Sequence, residues 1–223
     1  MKKIVLVLLM ILVGGLLSLR AQSVNFKLGA FYPGAASDLW ETNFENLSFS
    51  RSDMMGTYFG AELEVFMGRN FSLAVEGGRY KKNVYTVYSD VEYDDGTPLY
   101  QDISLGITSL EADIKIYPMG HRKEFNPYIG GGVGFYFWKY YQGGDFYNWI
   151  DDVAFEGEAY TDRITPGFNA KAGFVYRLRR TFGISLETKY TYVKGELSQL
   201  FEDFEKFDLG GFTFTAGIHL FLR

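Results

Sequence analysis

The chain has 223 residues, a formal net charge of −5, no cysteine, 18% aromatic residues, 26 glycines and only 5 prolines. The missing thiols exclude disulfide frameworks, thiolate catalysis, thiolate zinc sites and an acylated amino-terminal cysteine, and the acidic balance excludes binding to nucleic acid by phosphate neutralisation. The excess of aromatic residues and glycine favours one strand-rich domain whose strands meet a nonaqueous boundary, and nothing resembling a linker divides the chain.

Lys2 and Lys3 precede an apolar run from Ile4 to Leu17, and Ser18 to Ala21 follow it. This pattern predicts an export signal over 1–21, cleaved after Ala21, with 22–223 forming the folded domain. The run is shorter than the roughly 20 residues a spanning helix needs. Losing Lys2, Lys3 and Arg20 makes the exported chain more acidic.

Eight segments then alternate with period two. The first, about Val24 to Tyr32, sets Phe26, Leu28 and Ala30 against Asn25, Lys27 and Gly29. The second, Gly56 to Met67, sets Phe59, Ala61, Leu63, Val65 and Met67 against Tyr58, Gly60, Glu62 and Glu64. A turn at 68–70 leads to the third, which starts at Phe71 and runs on through Tyr88. A hairpin signal at Asp94 to Thr97 returns the fourth as far as Tyr117. Its apolar phase moves from odd positions (Leu105, Ile107) to even ones (Leu110, Ala112, Ile114, Ile116), which predicts a β-bulge near Thr108 and Ser109. The fifth, Pro127 to Trp138, puts Ile129, Val133, Phe135 and Phe137 on one face, and Tyr128, Gly130, Gly132, Gly134, Tyr136 and Trp138 on the other. A long polar loop is expected over 142–163. The sixth strand then sets Phe168, Ala170, Ala172 and Phe174 against Asn169, Lys171 and Gly173. The seventh starts at Phe182 after a turn at 179–181, and the eighth sets Phe212, Phe214, Ala216, Ile218 and Leu220 against Thr213, Thr215, Gly217 and His219.

Eight amphipathic strands joined alternately by short and long connections predict an all-β fold: an eight-stranded antiparallel up-and-down transmembrane β-barrel, closed without an edge. The competing arrangement is a soluble barrel with the apolar face inside. Seven glycines (Gly60, Gly78, Gly130, Gly132, Gly134, Gly173 and Gly183) mostly share the polar face, where they relieve crowding inside a narrow barrel and would do little on a wet exterior. The short connections carry Arg69, Arg122, Lys123, Arg179 and Arg180, whereas the long ones (33–54, 82–102, 142–163, 194–208) hold most of the acids. Short inner turns and long outer loops are the usual asymmetry of an outer-membrane barrel.

Ile114-Lys115-Ile116-Tyr117-Pro118, a short basic turn, and then Asn126-Pro127-Tyr128-Ile129-Gly130-Gly131-Gly132-Val133-Gly134 resemble the signature of the small bacterial outer-membrane β-barrel family, which includes OmpA-, OmpX- and OmpW-like proteins. The resemblance covers essentially the whole exported chain and speaks to fold more than to activity. It implies the outer membrane of a Gram-negative bacterium, extracellular loops, periplasmic termini and insertion by the barrel-assembly machinery. Family members usually end in an aromatic residue, whereas this chain runs past Phe221 to Arg223.

The inward positions carry Glu62, Glu64, Glu76, Glu111, Asp113 and Glu187 as acids, Lys27, Lys115, Lys171, Arg177 and Lys189 as bases, and His219. Nearly balanced charges at membrane depth must pair, so a salt-bridged plug is expected, with an ion or proton path as the functional alternative. Tyr58, Tyr80, Tyr136 and Trp138 separate a filled barrel, in which they pack solid, from a conduit or receptor for a small hydrophobic molecule, in which they line an apolar cavity. Catalysis finds little support, since the chain has only His121, expected in a solvated turn, and His219, followed two positions later by Phe221 where a lipid-cleaving pair would need serine. No cofactor is implied, and the acidic loop runs (Asp90 to Asp95, Asp151-Asp152) lack EF-hand spacing. Loop aromatics (Trp40, Phe44, Phe49, Tyr85, Tyr88, Tyr93, Phe146, Tyr147, Trp149, Phe155, Phe201 and Phe204) are expected to serve an interface, the interfacial belt and loop self-packing, or to line a small apolar site above the charged belt, and Leu197 to Phe207 is expected to form a short amphipathic helix on the rim or lidding the barrel mouth. The expected partners are outer-membrane lipid, lipopolysaccharide and an unidentified extracellular partner at the loops.

Overall fold

The computed structural model describes residues 22–148, 151, 153–198, 201 and 204–222. The export signal expected over 1–21 lies outside the described residues, as do Trp149, Asp152 and Arg223. Eight long strands build the fold: β1 (Ser23–Pro33), β2 (Gly56–Met67), β3 (Phe71–Glu92), β4 (Pro98–Ile116), β5 (Phe125–Asn148), β6 (Val153–Arg177), β7 (Phe182–Tyr192) and β10 (Gly211–Phe221). They close in the ring order β1-β10-β7-β6-β5-β4-β3-β2. Every neighbouring pair is antiparallel, and β1 meets β10 from Ser23 opposite Phe221 to Pro33 opposite Gly211. Between β1 and β2 lie a helix, α1 (Asp38–Asn46), and a single 3₁₀ turn (Arg51–Met54); between β7 and β10, the short strands β8 (Lys194–Gly195) and β9 (Phe207–Asp208) pair as a ribbon.

Which face meets water is decided by exposure. Phe59, Ile129 and Phe168 on three different strands are 57–64% exposed, whereas Lys27 is 3% exposed and Glu62 and Glu76 are 0%. Large apolar side chains ring the outside while charged ones fill the inside, an inversion that only a lipid surrounding stabilises. The chain is a transmembrane β-barrel, and the soluble alternative fails.

The bulge expected near Thr108 and Ser109 is absent. The ladder runs without slip through Gly78 opposite Ser109 and Arg79 opposite Thr108 on one side of β4, and through Thr108 opposite Phe137 on the other. Odd positions of β4 face inward along the strand's whole length. What changes is the filling of the barrel: Glu111, Asp113 and Lys115 point into a charged layer, and Ile103, Leu105 and Ile107 into an apolar one. The apolar phase moves because the interior changes character, while the strand keeps its register.

The segment 142–163 also departs from expectation. It continues β5 and β6 as a ladder to Asn148 opposite Val153, so the polar stretch is hairpin rather than loop. With β3 and β4 it forms a half-cylinder standing well above the shorter strands β1, β2, β7 and β10. Leu197 to Phe207 includes residues 199–200 and 202–203, which lie outside the described residues, and its C-terminal end joins the β8–β9 ribbon.

Candidate functional site

The lumen is filled by two stacked layers. The layer near the short turns is ionic, and it forms because one inward position on strand after strand carries a charge at the same height. Lys27 of β1 places Nζ 2.9 Å from Glu62, 2.8 Å from Glu76 and 2.8 Å from Glu187. Lys171 of β6 lies 2.9 Å from Glu76 and 2.6 Å from Asp113, and Lys189 of β7 lies 2.9 Å from both Glu76 and Glu111. Lys115 pairs with the other oxygen of Glu62 at 2.5 Å. Glu76 is the hub, since it receives Lys27, Lys171 and Lys189 and also a hydrogen bond donated by the Tyr58 hydroxyl at 2.8 Å.

Polar neighbours that sequence reasoning left out satisfy the remaining carboxylate oxygens. Tyr128 donates to Glu187 at 2.7 Å, Tyr117 to Glu64 at 2.7 Å, and the Asn169 amide to Glu111 at 3.0 Å and Asp113 at 2.8 Å. Ser72 also donates to Glu64. Each shares strand parity with the charged set, and that parity was the available signal. His219 is buried with Nε2 3.7 Å from Glu64. The glycines of β5 make room for this layer. Gly130, Gly132 and Gly134 stand directly opposite Lys115, Asp113 and Glu111, and a β carbon on Gly132 would run into the Ala112 carbonyl oxygen and the Asp113 carboxylate.

Arg177 does not join the network. It sits at the turn end, donating to the His121 carbonyl at 3.1 Å and lying over the Phe221 ring at 3.7 Å. It is only two residues from the Arg179–Thr181 turn, too near the end of β6 to reach the charged level. His121 likewise departs from a solvated turn residue: its ring is buried, stacked on Phe66 at 4.0 Å, with Nδ1 3.0 Å from the Arg69 carbonyl.

The second layer, toward the long hairpins, is apolar. Tyr58, Tyr80, Tyr136 and Trp138 are all buried in one cluster with Phe31, Ile103, Leu105, Tyr140 and Phe207. Two loops complete it from above. The helix α1 turns Leu39, Trp40 and Asn43 inward, and the fully buried Trp40 ring stacks on Phe207 at 5.1 Å and on Phe44 at 5.6 Å. Its indole N–H donates to the Asp208 carbonyl at 3.1 Å. Asn43 donates to the Tyr140 hydroxyl at 2.9 Å, Tyr140 to Gln142 at 2.9 Å, and Gln142 to Gln101 at 2.9 Å. This buried amide clasp fastens the helix to the wall. Of the loop aromatics, Trp40 and Phe201 are therefore core, whereas Tyr85 is 80% exposed and Tyr93 and Phe155 are also exposed.

The arrangement leaves little for a metal ion to do. Glu62, Glu76 and Asp113 bring carboxylate oxygens within 4.8 Å of one another, but Lys171 lies within 4.0 Å of all three and supplies the positive charge that a cation would bring. Among the described residues neither histidine hydrogen-bonds a hydroxyl: both ring nitrogens of His219 are without a hydrogen-bond partner, with Nε2 3.7 Å from Glu64, and His121 places Nδ1 on the Arg69 carbonyl and its ring on Phe66.

The closed eight-stranded barrel is similar in fold to solved structures. The crystal structure of the outer membrane protein OprG from Pseudomonas aeruginosa is similar over 91% of this chain and 97% of that one, with a TM-score of 0.54 at 15% identity. The fold is that of the small outer-membrane β-barrels. Neisserial surface protein A (NspA) is similar over 90% of this chain and 96% of that one, with a TM-score of 0.48 at 12% identity. No family model and no curated protein matches the sequence.

Proposed function

We propose that the protein is a closed, non-enzymatic barrel of the outer membrane with a structural or surface-interaction role. In this reading its turns and termini are periplasmic and its hairpins extracellular. The observation that carries it is the filling of the lumen by two layers in series, an ionic one centred on Glu76 and an aromatic one capped by Trp40. The orientation is supported by the basic short turns and the acidic long connections, the usual asymmetry of such barrels. Exposed Tyr85, Tyr93 and Phe155 on the hairpins offer rings to an extracellular partner, since exposed aromatic groups commonly anchor interfaces.

A conduit for ions or small hydrophobic molecules is the reading this one displaces. It would need an open path past Tyr58, Tyr80, Tyr136 and Trp138, all of which are 2–6% exposed. The test is conductance of the purified protein in planar bilayers. No stepwise current is expected; steps that vanish in Lys171→Ala or Glu187→Ala would establish a conduit instead. Single cysteines placed at Thr97 and at Arg180, probed on intact cells with a membrane-impermeant maleimide, test the orientation, and labelling at Thr97 alone is expected.

A further inference from the structure

The outer wall carries a groove that neither filling layer uses. On the lipid-facing side, the small residues Ala61, Gly77 and Ala216 lie between Phe26, Phe59 and Ile218, leaving a depression of about 850 Å³ within the apolar band. Arg79 and Thr108 belong to this depression and also to a second groove of about 530 Å³ that continues from it on the outer face of β3–β6. The two form one path from apolar to polar surface.

The upper part of that path is cationic. Arg79, Lys81 and Lys139 line it, all three are exposed, and among the described residues none of them makes an ion pair. Arg79 occupies the row of the sheet next to the apolar groove (Arg79 opposite Thr108, Thr108 opposite Phe137), and Lys81 and Lys139 flank Gly106 in the following row. Of the two acids nearby, Asp162 stands opposite Lys139 in that same row, and Asp102 lies four residues farther out along β4 than Gly106. The cations thus stand between the groove and most of the acidic surface.

Their height fits a lipid headgroup. From Phe71 at the lower edge of the band to Arg79, eight residues at ~3.3 Å each on a strand tilted ~40° rise roughly 20 Å, against an apolar band ~25 Å tall. The Arg79 side chain snorkels across the remaining distance to the boundary. Lys81 on β3 and Lys139 on β5 are two strand spacings apart, roughly 10 Å, with Arg79 one row below. Long side chains from both positions can reach a single phosphate, but three cations spread over that distance match the charge of a headgroup with two separated phosphates.

We propose that the paired grooves seat a phosphorylated, acylated glycolipid, with acyl chain in the depression over Gly77 and phosphates on Arg79, Lys81 and Lys139. The assignment of this lipid to the outer leaflet rests on the orientation proposed above; the site itself does not. The test is native mass spectrometry of the full exported chain in neutral detergent, offered bisphosphorylated lipid A, its dephosphorylated form, or phosphatidylcholine. Wild type is expected to retain the bisphosphorylated lipid selectively. The triple variant Arg79→Gln/Lys81→Gln/Lys139→Gln should weaken that retention about tenfold or more, as loss of several surface cations from an anionic lipid predicts, and leave phosphatidylcholine unaffected. Gly77→Leu fills the depression without strain, because a β carbon there meets nothing nearer than the Ser109 carbonyl oxygen at 4.0 Å, and it should lower retention while heat-modifiable migration stays normal. Equal retention of charged and uncharged lipid by wild type overturns the proposal, as does unchanged retention in the triple variant. A dimer that Gly77→Leu abolishes would assign the groove to a second copy of the chain and overturn it as well. Retention in detergent depends on neither conductance nor sidedness, so failure here and failure of the proposed function give separate results.

Discussion

At the scale of single residues the lumen is a problem of unpaired charge. Glu76 is stabilised only because Lys27, Lys171 and Lys189 converge on it, and Lys171 also holds Asp113. Removing one partner of a buried pair strands the other, which typically costs about 3–5 kcal/mol. Lys171→Met should therefore lower the stability of the refolded barrel in lipid by about that amount in urea titration, whereas Lys139→Gln, on the exposed wall, should change it by under about 0.5 kcal/mol. Gly132 is constrained from the other side. Its missing β carbon is the space beside Asp113, so Gly132→Leu should abolish heat-modifiable migration on gels, and normal migration would contradict the inward assignment. His121 gives a pH dependence. Burial against Phe66, followed by the charges of Arg122 and Arg177, holds its imidazole below the ordinary histidine value despite the Arg69 carbonyl. The folded chain then binds fewer protons there than the unfolded chain, so this contribution is complete above about pH 6.5 and is lost as pH falls below it. The urea midpoint of His121→Phe should decline less than wild type between pH 7.5 and 5.5; identical declines would show that His121 is not involved.

At the scale of elements, α1 is held by few but specific contacts: Trp40 between Phe44 and Phe207, the Asn43–Tyr140–Gln142 clasp, and the Asp38 carboxylate accepting the Glu205 N–H at 2.7 Å. Trp40→Ala removes the largest of these, a loss of about 3–5 kcal/mol for a buried tryptophan. Because the ring packs between loops rather than between barrel strands, the loss should be local. Hydrogen exchange should accelerate over 38–47 and 205–210, with the protection of β2 and β7 unchanged. None of this helix was legible in the sequence, because nine residues with three apolar side chains give too short a period to recognise, and two partners of Trp40, Phe207 and Asp208, are some 170 positions away. The strands were legible, since alternation is local, and the same parity put Lys27, Glu62, Glu76, Lys171 and Lys189 on inward faces, whereas which lysine meets which carboxylate depends on other strands and was not. The phase change on β4 was visible but misattributed. Leu105 and Leu110 obey one register, and only the contents of the barrel at each height, supplied by other strands, reveal that the apolar side switches from lumen to lipid. The hairpin over 142–163 was hidden for a related reason: above the membrane its outer face meets water, so Asp145, Glu156 and Glu158 replace the apolar residues that mark a spanning strand.

At the scale of the whole molecule the two filling layers act in series. The half-cylinder of β3–β6 is closed over by α1 and the β8–β9 segment, and below that closure every barrel strand contributes to the ionic layer or its rim. Two barriers in series mean that opening one leaves the path closed. Replacing 37–50 with a Gly-Ser linker should expose Tyr58, Tyr80, Tyr136 and Trp138 in a vestibule, readable as a blue-shifted increase of an added apolar fluorophore. That vestibule still ends on Glu76, Lys189 and Glu111, held together at 2.9 Å. An ion entering it would have to separate buried pairs in a low-dielectric ring, at a cost of several kcal/mol per charge. The shortened protein should therefore bind the fluorophore and remain silent in planar bilayers. Current steps in this variant alone would mean that the ionic layer is permeable and that the helix is the sole gate; fluorophore binding without current would place the decisive seal at the lysines and glutamates.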